Sequence, residues 1–191
     1  MNTWQASLDQ VIRRRFGRKQ GVVRAARARL GLLAGRFDVF QAPVWGRVGR
    51  LVFVCKGNLC RSAYAEAVAR SLGASAASFG LEAGEGRAAD STAIRMASAR
   101  RIDLSGHRSR RHLELSGGDL LVGMEPAHLQ RLEVFARETS AQATLLGLWA
   151  QPVRPHVEDP FGLSPEYFET CLAVIDDAVR QLVAQLRRGA P

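Results

Sequence analysis

Eight consecutive residues, Cys55, Lys56, Gly57, Asn58, Leu59, Cys60, Arg61 and Ser62, bring together a nucleophile, a charge clamp and a hydroxyl. A cysteine reacts as its thiolate, and a field that holds a bound anion also favours that thiolate. The spacing of Cys55 to Arg61 lets one turn of loop wrap a tetrahedral anion between them. The planar fork of Arg61 can grip two equatorial oxygens at once, which the point charge of Lys could not. Ser62 is placed to hydrogen-bond the sulfur and to stabilise it as a leaving group. Displacement at phosphorus by sulfur is the chemistry these residue types suit. The plain alternative is a core cysteine at a strand end. Gly57, Asn58, Cys60 and Ser62 in the same loop argue against it.

Such a loop needs a strand before it and a helix after it. Leu51 to Val54 is an apolar, β-branched run of the kind a buried parallel strand shows, and a helix of about 62–72 follows, ending at Gly73. Loop N–H groups and a helix N-terminus then converge on one point and make an anion site, with Cys55 at its floor. Further strands are expected near 76–79, 119–124 and 143–148, and helices over about 91–101, 127–137 and 165–186. This alternation predicts an α/β fold of three αβα layers around a central, mostly parallel four-stranded sheet, preceded by a basic helical extension.

The chain has 191 residues, 47% of them hydrophobic and three of them cysteine, which fits one domain in a reducing cytosol rather than a disulfide framework. A cytoplasmic location is expected. The net charge of +9 is concentrated in residues 1–50, where eleven Lys or Arg face only Asp9 and Asp38. Boundaries follow at 1–48 for an Arg-rich amphipathic helical extension with its linker, and 49–191 for the domain. Leu8, Val11, Ile12, Val22, Val23, Ala26, Leu30 and Leu33 recur there at helical spacing, giving one or two helices with breaks at Gly17 and Gly21. Residues 1–40 offer a surface for an acidic partner or an anionic membrane; the simpler reading is a helix packed on the domain with its arginines solvated. No specific nucleic-acid binding is expected. Arg13 to Phe16 is similar to a twin-arginine export signal, but Arg24, Arg27 and Arg29 interrupt the segment that should be apolar, so export is not expected.

The Cys55 to Ser62 stretch resembles the low-molecular-weight protein tyrosine phosphatase family, whose signature reads Cys, any residue, Gly, Asn, any residue, Cys, Arg, Ser. Ser78 to Leu81, Gly86 to Asp90, Ile102 to Arg110 and Asp119 to Glu125 are similar to further family stretches in the same order, so that the resemblance spans about 50–188 and leaves the extension unmatched. Asp159 in HVEDPFG, taken alone, is a turn former beside Pro160. The resemblance, through its place before the final helix, implies a general acid, which a poor alkoxide or phenolate leaving group needs.

On this resemblance the catalytic residues are Cys55, Arg61 and Asp159, and substrate is bound by Lys56, Gly57, Asn58, Leu59, Cys60, Ser62 and Phe161. It also implies a hydrogen-bond network in which Ser78 and His107 support Asn58 and Ser62. No cofactor is expected, and the histidines show no metal-ligand spacing. Cys60 could shield Cys55 through a reversible disulfide, whereas Cys171 reads as packing. The implied substrate is a phosphotyrosine protein, and the implied partner class is a bacterial tyrosine autokinase.

Within the fold, an arsenate reductase would need a redox cysteine pair, yet no cysteine lies between Cys60 and Cys171. An arginine phosphatase would carry Thr in place of Leu59. Ala63 in place of the usual Pro, and a loop from Leu81 to Arg87 without an aromatic residue, depart from the family pattern. A non-catalytic phosphate-binding or phosphoprotein-binding module is the alternative from another class; such a binder needs neither Cys55 nor Asp159.

Overall fold

The structure is a computed structural model that describes residues 3–189. Its centre is β1, Arg50–Cys55, in which Leu51 to Val54 are fully buried. The strand alternates as the pleat requires. Leu51, Phe53 and Cys55 point into one core with Tyr64, Leu120, Phe168 and Ile175, while Val52 and Val54 point into a second with Phe79, Leu121 and Leu132. Both faces are covered, so the strand reads as an unbroken apolar run rather than an alternating one. Each such side chain taken out of water contributes about 1.5–3 kcal/mol.

The other strands are β2, Ala76–Gly80, β3, Asp119–Gly123, and β4, Gln142–Leu145. They form one sheet in the order β2-β1-β3-β4, and every pairing in it is parallel. The connecting helices are α3, Arg61–Ser71, α4, Ser91–Ala99, and α5, Leu129–Thr139, and α6, Pro165–Gly189, closes the described chain. Helices α3 and α6 pack against each other over the first core. From β1 the chain crosses to β2 on one side and later to β3 on the other. Strand order therefore reverses at the carboxyl ends of β1 and β3, the place where parallel sheets open a crevice for ligands.

The extension forms two helices, α1, Thr3–Phe16, and α2, Lys19–Leu33. The expected break at Gly17 is present, with φ of 75°. The expected break at Gly21 is not: Gly21 is buried inside α2, where a Cβ would come within 2.0 Å of the Phe16 carbonyl oxygen. Its value is close approach rather than a turn. Helix α1 packs on α6, and Phe37 and Phe40 enter a small core with Leu129, Leu145 and Leu148. The stretch expected as a linker is also anchored: Trp45 meets Trp149 edge to face at 5.2 Å. Among the described residues no helix is long and apolar enough to cross a membrane.

Candidate active site

The chain leaves β1 at Cys55 and turns through residues 56–60 into α3 at Arg61. Asn58 makes the turn possible. It is fully buried with φ of 54°, a left-handed conformation that Asn tolerates better than most residues. Its backbone N–H donates to Cys55 Sγ at 3.2 Å, and its Nδ2 donates to Ser62 Oγ at 2.9 Å and Ser78 Oγ at 2.8 Å. Asn58 Oδ1 accepts from the Arg110 N–H at 2.8 Å, and the Asn58 carbonyl meets His107 Nε2 at 2.7 Å. Every polar group of this side chain is thus matched, which fixes the loop. Ser62 Oγ lies 3.0 Å from Cys55 Sγ. The residues expected to form a supporting network therefore meet, and His107 joins through the main chain.

Three further charged residues belong to this network and were not expected. Ser78 donates to Glu66 at 2.6 Å, and Arg70 and Arg110 approach the same buried carboxylate at 2.9 and 3.3 Å. Helical spacing could have paired Glu66 with Arg70, but nothing local marks Arg110. Gly80, at the end of β2, closes the loop from below: a Cβ there would lie 2.7 Å from the Lys56 carbonyl and 2.8 Å from Asn58 N. Gly80→Ala is expected to push the loop off β2, destabilising the fold by about 1–3 kcal/mol. Thermal melting reads the loss, and a fall in kcat/KM of about tenfold at temperatures where the variant stays folded locates it at the loop.

Arg61 is 1% exposed and its Nη1 is committed, donating to Glu125 Oε1 at 2.7 Å and to the Val157 carbonyl at 2.8 Å. Its Nη2 lies 3.0 Å from Asp159 Oδ2, close enough for charge attraction but without hydrogen-bond geometry. Nε and Nη2 consequently have no hydrogen-bond acceptor. Burial works against the guanidinium charge, but Asp159, Cys55 and Glu125 outweigh it and raise its pKa further. Burial likewise pushes the Glu125 carboxyl up, and Arg61 more than compensates, holding it below its usual range. Glu125, at the end of β3, is a residue whose pairing with Arg61 was not expected.

The loop carrying Asp159 is tied down through its neighbour. Glu158 is buried and meets His156 Nε2 at 2.8 Å, Arg24 Nη1 at 2.8 Å and Arg18 Nε at 3.0 Å. Burial would raise the Glu158 pKa, but His156 and Arg24 outweigh it and set it at about 2. Arg18 and Arg24 belong to the extension, so the simpler reading of it, a packed helix with solvated arginines, holds for the packing, while these two, still half-exposed, also pair with a buried carboxylate.

A cavity of about 370 Å³ opens above Cys55, lined by Lys56, Gly57, Leu59 and Cys60 on one side and by Asp159 and Phe161 on the other. Phe161 is 56% exposed on the rim, and Lys56 reaches Glu82 at 3.4 Å. Burial, then the nearby Asp90 and Asp159, push the Cys60 thiol up. Cys171 is buried in the main core and is raised to about 12 chiefly by burial. The arrangement combines a sulfur in a fixed cradle, two unmatched guanidinium donors and a carboxyl group facing them. It can bind a tetrahedral dianion and serve a displacement at its centre.

The chain is similar to known proteins in sequence and in fold. Residues 50–190 match the model of the low molecular weight phosphotyrosine protein phosphatase family. The Escherichia coli K12 low molecular weight protein-tyrosine-phosphatase Wzb is 33% identical over 136 residues, covering 69% of this chain and 90% of that protein. The crystal structure of the tyrosine phosphatase Wzb from Escherichia coli K30 in complex with sulphate superposes with a TM-score of 0.64 at 28% identity, over 73% of this chain and 99% of the other. The YwlE arginine phosphatase from Geobacillus stearothermophilus also reaches 0.64, but at 23% identity over 73% of this chain and 93% of its own, which is a likeness of fold alone. With a sheet wholly parallel, a Cys55 to Ser62 loop at its switch point and a family match over every element from β1 onward, this chain belongs to the low molecular weight phosphotyrosine protein phosphatase family.

Proposed function

We propose that the protein hydrolyses phosphotyrosine on proteins by way of a phosphocysteine at Cys55. The observation that carries this reading is the pair of unmatched donors, Nε and Nη2, on the buried guanidinium of Arg61. Buried charge without acceptors is costly, and a phosphate dianion in the loop supplies the acceptors. Cys55 Sγ attacks phosphorus in line, the bond from phosphorus to the ester oxygen breaks, and Asp159 gives that oxygen its proton. In the second step Asp159, now a carboxylate, takes a proton from water as the water oxygen attacks phosphorus; the bond from sulfur to phosphorus breaks and the thiolate returns. Loop N–H groups and Arg61 hold the equatorial oxygens in both steps. Ser62, 3.0 Å from the sulfur, stabilises it when it leaves.

An aryl phosphate is favoured by the rim, where Phe161 stands free to lie along a ring. Leu59, an apolar residue in the same cavity wall, speaks against a guanidinium leaving group. The test uses Asp159→Asn on a series of aryl phosphates of graded leaving ability. Phenyl phosphate should lose about 10²-fold in kcat/KM, which reads only the first step, while 4-nitrophenyl phosphate, whose phenolate leaves without help, should lose far less. An equal loss of kcat/KM across the series would remove Asp159 from the role of acid.

A further inference from the structure

Two features of the extension are independent of family membership. The family match begins at residue 50, so α1 and α2 are additions to it. Yet α2 forms a wall of the catalytic cleft. A second cavity, of about 520 Å³, is lined by Arg27 and Arg36 of the extension and by Lys56, Glu125 and Asp159 of the domain. It shares Arg18, Lys56 and Asp159 with the cavity above Cys55, so the two form one trough that runs from the reaction site along α2.

Charge in that trough is unevenly satisfied. Glu158 is paired with Arg18 and Arg24, and Glu125 and Asp159 both lie on Arg61. The carboxylates are therefore spoken for. Arg27 and Arg36 are exposed and have no ion-pair partner among the described residues. Ala28 and Gly31 also line the trough; a Cβ at Gly31 would meet the buried Phe37 ring at 3.3 Å, so close packing of Phe37 on α2 holds the segment that carries Arg36 beside the trough.

We propose that α2 and the turn after it provide a subsite for a carboxylate-bearing segment of the substrate polypeptide, flanking its phosphorylated side chain, with Arg27 and Arg36 as the residues that select it. The proposal rests on the phosphatase reading above. The trough begins at the reaction site, so its occupant is what is covalently attached to the phosphate being removed. Two guanidinium groups without partners then favour acidic over neutral sequence. The extension thus has two separable tasks: Arg18 and Arg24 hold the loop of Asp159, and Arg27 and Arg36 read the substrate.

The experiment compares kcat/KM of the full chain on two phosphotyrosine peptides, identical except that the three residues on each side are Glu in one and Gln in the other. Wild type should favour the acidic peptide by about tenfold, as expected for two exposed ion pairs at the strong end of their range. In Arg27→Gln/Arg36→Gln that ratio should fall below about threefold, and because both peptides are read on the same variant, any loss common to them cancels. Arg13→Gln/Arg14→Gln removes equal charge outside the trough and should keep the wild-type ratio. Equal ratios in wild type and the trough variant, or an equal drop in both variants, would overturn the subsite, the latter by making the preference one of net charge. Wild type that turns over phenyl phosphate but ignores flanking charge, and that sediments with phosphatidylglycerol vesicles, would reassign the arginines to a membrane surface. Failure to turn over phenyl phosphate at all would defeat the phosphatase reading, and the subsite with it.

Discussion

Cys55→Ser should abolish turnover, with kcat on 4-nitrophenyl phosphate falling by on the order of 10⁴-fold or more, as loss of an attacking nucleophile does elsewhere. The argument is geometric before it is chemical. Sγ sits at the end of a strand buried on both faces, receives the Asn58 N–H at 3.2 Å and faces the Ser62 hydroxyl at 3.0 Å. A serine oxygen keeps the volume and the hydrogen bonds but holds its proton far more tightly than a thiol does, and no side-chain base lies against it to take that proton. The variant should therefore remain folded and should still bind phosphate. Equilibrium binding of inorganic phosphate, measured by calorimetry, should stay within about threefold of wild type while turnover disappears. That split separates a lost nucleophile from a lost site. A serine variant that retained turnover within about tenfold would place the attacking group elsewhere.

The parts of this site that lie close together in sequence could be read there, and the parts assembled from distant segments could not. Leu51 to Val54, the loop and the start of α3 form one continuous stretch, so strand, turn and helix each declare themselves locally. Asn58 announces its turn because few residues tolerate positive φ. By contrast, Arg24 reaches Glu158 across 134 residues and Arg61 reaches Glu125 across 64. Ion pairs of that kind carry no period and no composition signal; they exist only once the sheet has put β3 beside β1. The inner contacts of the extension are hidden for the same reason. Its arginines at helical spacing look like a solvated face, and only the docked helix shows Arg18 and Arg24, still half-exposed, reaching the buried Glu158. Gly21 illustrates the limit well: a glycine within a helical pattern can mark a break or a close contact, and the neighbour that decides between them, the Phe16 carbonyl, is visible only in three dimensions.

Arg61→Lys is the second substitution with a large expected effect, because it keeps the charge and removes the shape. The guanidinium divides its work by nitrogen: Nη1 holds Glu125 and the Val157 carbonyl, while Nε and Nη2 remain for the substrate. An ammonium offers three donors from one point and cannot face both directions. If it stays with Glu125 it abandons the phosphate, and if it moves toward the phosphate it leaves Glu125, which is 16% exposed, without its partner. Loss of a preorganised donor to a developing charge costs about 10²–10³ in rate, and two such donors are lost together. We expect kcat/KM to fall by roughly 10³-fold or more, with phosphate affinity falling alongside, in contrast to Cys55→Ser, where affinity persists. Breaking a buried ion pair also destabilises the fold by about 3–5 kcal/mol, so a lower melting temperature should accompany the kinetic loss. Glu125→Gln separates the two contributions. It removes the charge of the structural partner while leaving Nε and Nη2 in the Arg61 fork, so it should lower the melting temperature and cost far less activity than Arg61→Lys. Equal kinetic losses in the two variants would mean that Arg61 acts by anchoring β3 to the loop, and that the phosphate is held by the loop N–H groups alone.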